Sequence, residues 1–174
     1  MSSLGLYSYS IAAVAFLLLA VLLATGWTGR TQGSRLIVAC AVTAGWAAVM
    51  AAAAVMGEVS TYAIAFAECV RDGAWIFVLT GLAASAGVAA TLSRVLNVGW
   101  ILGAVYLLVA PLLSRAGLSI VLPSVALVAT GFSLALGGLM LLEQVYRNAR
   151  GEGRFALGFL ALALGTLWAY DLFL

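Results

Sequence analysis

The chain has 174 residues, of which 66% are hydrophobic and 8% charged, and its formal net charge is +2. Soluble domains carry about 25% charged residues, and a water-soluble fold of this length has too little interior to hide so much apolar surface. These numbers exclude an ordinary soluble enzyme and a nucleic-acid binder, and they point to an all-α, polytopic helical membrane bundle. A transmembrane β-barrel is excluded too, because its strands would read as short alternating segments.

Six apolar runs follow one another: 7–27, 36–56, 61–83, 96–113, 118–142 and 155–174. Each is close to the roughly 20 residues one helix needs to cross a bilayer. The first has no basic stretch before it, so it is expected to be a retained span rather than a cleavable leader. TGRTQGSR separates the first two runs and GEVS the next two; Arg94 and Asn97 mark the third break and SRAG the fourth. EQVYRNARGEGR, residues 143–154, is the one long polar stretch. With no soluble portion and no convincing repeat, residues 1–174 are expected to form a single transmembrane domain. Cys40 and Cys69 fall within apolar runs and are expected to be small buried hydrophobes; no metal-ligand spacing occurs.

All eight basic residues are arginine. Arg30, Arg35, Arg94, Arg147, Arg150 and Arg154 fall in breaks one, three and five, against Arg115 alone on the other side. The positive-inside rule then places the N-terminus outside and residues 143–154 in the cytoplasm. Pro111 and Pro123 fall near the outer ends of spans four and five. The chain ends in DLFL, still apolar, which is expected of a fragment of a longer protein with at least one further span.

AECVRDGAW, residues 67–75, interrupts the third run with three charges. An ionised side chain at the bilayer centre costs about 2.5–3.5 kcal/mol on insertion scales, so these groups must pair or face a wet cavity. Glu68 and Asp72 are four apart, Arg71 is three from Glu68, and Trp75 continues the same helix face. Span six carries Asp171 in WAYDLFL, at a predicted outer depth like that of Arg71. The sharper expectation is an outward-facing pocket in which Arg71 pairs with Glu68, Asp72 or Asp171, walled by Trp75, Trp168 and Tyr170. Two plainer alternatives stand beside it: charges that only hold helices together, and a third span shifted so that the cluster is solvated.

Gly99 and Gly103 form a small-xxx-small pair that permits close helix packing. Trp27 and Trp100 near the inner boundary, and Tyr7 and Tyr9 near the outer one, read as aromatic belt residues. Glu143, Gln144 and Arg147 at the inner end of span five either solvate that end or couple it to a cytoplasmic part. No catalytic residues are expected: there is no His, no phosphate-cradling glycine loop, and no Ser or Cys beside a credible base. An acid pair for intramembrane proteolysis is the weaker reading of Glu68 and Asp72, which are salt-bridge partners first.

ECVRDGAW at 68–75, LLEQVYRNARGEGRFALGFLALALG at 141–165 and AYDLFL at 169–174 resemble the N-terminal membrane region of the PEP-CTERM/exosortase-associated, PrsK-type sensor histidine kinases. The resemblance covers most of the chain as a pattern of spans, and three short strings as motif. It implies a multi-span sensory module followed by a GAF-like region and a cytoplasmic kinase core. That core would dimerise, phosphorylate its own histidine from ATP with Mg, and pass the phosphoryl group to a response regulator tied to exopolysaccharide genes. This chain lacks any histidine and any nucleotide motif, so the resemblance implies only the signal-input portion, with no cofactor of its own. The expected setting is the bacterial inner membrane, with the lipid bilayer and a second copy as partners and no nucleic acid. A small transporter or channel, and a passive membrane anchor and dimerisation module, are the competing expectations.

Overall fold

The structure is a computed structural model that describes residues 3–26, 29, 31–56, 59–87, 90–116, 124–149 and 153–173. Among these, the chain is all-α, with six helices: α1 (Ser3–Thr25), α2 (Thr31–Met56), α3 (Thr61–Ser85), α4 (Ala90–Arg115), α5 (Ser124–Asn148) and α6 (Gly153–Phe173). The turns follow local chemistry. Ser60 stands at the start of α3, where its carbonyl accepts from the amides of Ala63 and Ile64, as an N-cap residue does. Gly87, with φ of 69°, adopts the left-handed conformation just past the end of α3, where a side chain would be strained. Pro111 lies inside α4, near its C-terminal end.

Among the described residues, three helical stretches are long and apolar enough to cross a membrane: Gly5–Thr25, Gln32–Met56 and Ala90–Leu113. On α1, the large side chains Ile11, Val14, Leu17, Leu18, Val21 and Leu22 are all exposed, and on α4 so are Val98, Ile101, Leu102, Val105 and Leu108. Apolar faces this continuous require a partner other than water. α3 is equally long, but every stretch of it long enough to span contains Glu68, Arg71 and Asp72.

The chain divides into two compact units, Met1–Val78 and Leu79–Leu174. In the first, α1 packs along α2, and the buried face of α2 is made of short side chains: Ala39, Cys40, Thr43, Ala44 and Ala47. Short side chains let neighbouring backbones approach closely and leave room for large ones from elsewhere. In the second unit, α5 packs against both α4 and α6. Its buried residues Leu134, Ala135, Gly138, Leu141, Leu142 and Val145 recur at the three- and four-residue intervals of a helix core face.

Candidate functional site: a buried ion pair at the middle of α3

Gly73 is the central residue of α3, and Arg71 and Asp72 lie just before it. Both are buried, with 1% and 6% of their surface exposed. The guanidinium folds back onto its sequence neighbour: Nη2 donates to Asp72 Oδ1 at 2.9 Å and Nε donates to the same oxygen at 3.2 Å. Adjacent helix residues do not ordinarily face each other. The long arginine arm, folded back along the helix, makes the contact. Breaking a buried pair of this kind would strand a charge, which is far more costly than removing both partners.

α2 supplies the rest of the enclosure. The Arg71 guanidinium carbon lies 4.4 Å from the ring centroid of Trp46, a cation–π geometry that gains strength when desolvated. Tyr9 of α1 meets the same indole edge-on, with centroids 5.7 Å apart and planes at 90°. Tyr9, Trp46, Arg71 and Asp72 therefore form one chain of contacts through α1, α2 and α3. Trp75, one turn beyond Arg71, donates its indole N–H to Thr43 Oγ1 at 3.0 Å, and Thr43 donates in turn to the Ala39 carbonyl at 2.8 Å. A second cation–π contact runs in the opposite sense: Arg35 of α2 lies 4.5 Å from the Phe77 ring of α3. Each helix thus gives one arginine to the other and one aromatic ring to receive an arginine.

Glu68 is half-buried one turn before Asp72. The side chains of Tyr170 and Asp171 lie outside the described residues, as does Trp27. Trp168 belongs to the second unit, where its fully buried ring rests against Gly138 of α5. Gly99 has open space where a side chain would stand, and Gly103 is half-buried. Arg147 donates to Glu143 at 3.4 Å across one turn of α5, both well exposed, and Gln144 accepts at its carbonyl from the Asn148 amide at 2.7 Å. Cys40 and Cys69 are buried and not joined in a disulfide. Among the described residues, no group of three or more Cys, Asp and Glu is placed to hold a metal ion.

Sequence reasoning on one helix missed Trp46, Thr43, Tyr9 and Arg35, because their roles depend on how α1 and α2 meet α3. Two signals were present: Thr43 is the lone hydroxyl within IVACAVTAGW, and Trp46 is the lone large ring within AGWAAVMAAAAV. Comparison of the chain with family models, curated proteins and solved structures finds no match.

Proposed function

We propose that this chain is the transmembrane signal-input region of a two-component sensor histidine kinase of the PEP-CTERM-associated type. It passes an envelope or membrane signal to a cytoplasmic kinase core that lies outside these 174 residues. In this reading all six helices cross the bacterial inner membrane, the N-terminus is outside, and residues 143–154 face the cytoplasm beside the kinase. The six-to-one distribution of arginines supports that orientation. The parent protein acts as a homodimer, uses ATP and Mg in its core, and phosphorylates a response regulator.

One observation carries the reading: an arginine and an aspartate are buried at the middle of a 25-residue helix and linked by ring contacts to two further helices that are long and apolar enough to cross a membrane. Ionisable groups at such depth are expensive and mark functional positions by default. A switching element needs two packings that differ by a few kcal/mol, which a signal then biases. Polar contacts that exchange partners, with Arg71 as the fixed cation, provide such a choice.

The test uses the protein with its kinase core, reconstituted in lipid vesicles, and measures autophosphorylation from labelled ATP. Arg71→Ala should lock output high or low while membrane insertion is retained. Arg71→Met with Asp72→Leu removes the pair without stranding a charge and should also abolish regulation. Regulated output from both variants would reject the input role and leave the anchor reading; solute flux through vesicles containing the chain alone would favour the transporter.

A further inference from the structure

The second unit contains a joint that the buried ion pair does not involve. α5 carries two consecutive glycines, Gly137 and Gly138, and each receives a side chain from a different helix. A side-chain carbon at Gly137 would collide with Leu96 of α4. One at Gly138 would stand 2.7, 2.8 and 2.9 Å from Cη2, Cζ2 and Cζ3 of Trp168 on α6. Successive helix residues point about 100° apart, so one step of α5 backbone seats both neighbours on adjacent faces. Leu96 is 6% exposed and Trp168 is 0% exposed, so both seats are closed.

Two features make this joint soft rather than rigid. Paired small residues are among the recognised causes of helix kinks, and glycine is the least helix-favouring residue after proline. The Trp168 indole N–H is buried and has no hydrogen-bond acceptor among the described residues. A buried donor without an acceptor penalises the packing that contains it, so a displaced seating that gives the N–H a partner competes with the observed one. We infer that Gly137–Gly138 is a two-position joint that couples α6 to α4: withdrawal of the Trp168 ring from Gly138 moves the same backbone against which Leu96 rests. The glycines supply the room, and the unmet indole donor supplies the second position.

The test is fluorine NMR on the whole chain in lipid nanodiscs, with 5-fluorotryptophan at its five tryptophans and Trp168→Phe used to assign the Trp168 signal. Trp168 should give two resonances. Leu96→Ala, a change on α4, should change their ratio by at least about fivefold, the lower end of ordinary coupling between sites. Gly137→Ala, which presses on Leu96, should change it in the other direction, and Gly138→Ala should leave a single, displaced resonance. One resonance in the parent chain, or a ratio that neither Leu96→Ala nor Gly137→Ala moves, overturns the inference. The resonances report helix seating with no kinase present, so this result is separable from that of the phosphorylation assay.

Discussion

The two compact units solve helix association by opposite means. In the first, α2 and α3 meet through directional groups: a buried guanidinium–carboxylate pair on Trp46, a Trp75–Thr43 hydrogen bond, and the reciprocal Arg35–Phe77 contact. In the second, α4, α5 and α6 meet through shape, with Leu96 and Trp168 filling the space two glycines leave. Lipid tails are as apolar as leucine, so burial alone does not drive helices together in a bilayer. What remains is polar contact or close fit, and this chain uses one in each half. Charge sets which helices meet and tolerates small changes of volume. Fit tolerates polar changes at a distance and fails on the addition of one methyl.

That contrast can be broken by mutation. The largest effect is expected at Arg71: the alanine variant leaves Asp72 buried without its cation and should lose about 3–5 kcal/mol of stability, measured by unfolding in mixed micelles. Arg71→Met with Asp72→Leu should recover most of that loss, since apolar replacement of a buried pair is often neutral or better. Equal losses from the single and the double change would show that the first unit, like the second, rests on volume.

Gly138→Ala comes next, at about 1–3 kcal/mol, because three atoms of a rigid ring must move. Gly137→Ala should cost less, since the tip of Leu96 can rotate; a larger cost at Gly137 than at Gly138 would reverse the assignment of the tighter seat. Thr43→Val keeps the volume but leaves the Trp75 indole donor unmet, and should cost about 1–2 kcal/mol, visible as a lower melting temperature and a shifted tryptophan emission. The smallest change belongs to Glu143→Gln. Its partner Arg147 is 75% exposed and the pair is solvated, so the same unfolding measurement should move by less than about 0.5 kcal/mol.

Helix content and helix order were legible because apolar runs of bilayer length dominate the chain. The ends were less so, and for a physical reason: hydropathy marks where lipid would end, whereas a helix ends where its backbone bonds stop. α4 begins at Ala90, six residues before its apolar run, because Thr91, Ser93 and Arg94 are polar but helical. α5 runs to Asn148 through the polar Glu143, Gln144 and Arg147 for the same reason. Within the site, three- and four-residue spacing put Glu68, Arg71, Asp72 and Trp75 on one stretch of α3. The sequence offered Arg71 three partners, Glu68, Asp72 and Asp171, and did not choose Asp72 among them, because side-chain reach is not a property of spacing. Nor could it bring Trp46 or Gly137–Gly138 into view, since a ring in an alanine-rich helix and a glycine doublet acquire meaning only from the helix that packs on them.

Arg71 and Asp72 are consecutive residues, so the cation and its counter-ion leave the ribosome together and close on each other as soon as that turn of helix forms. The pair therefore forms within one helix, from two residues that are made together. Trp46 of α2 then lies over a guanidinium whose carboxylate comes from α3 itself.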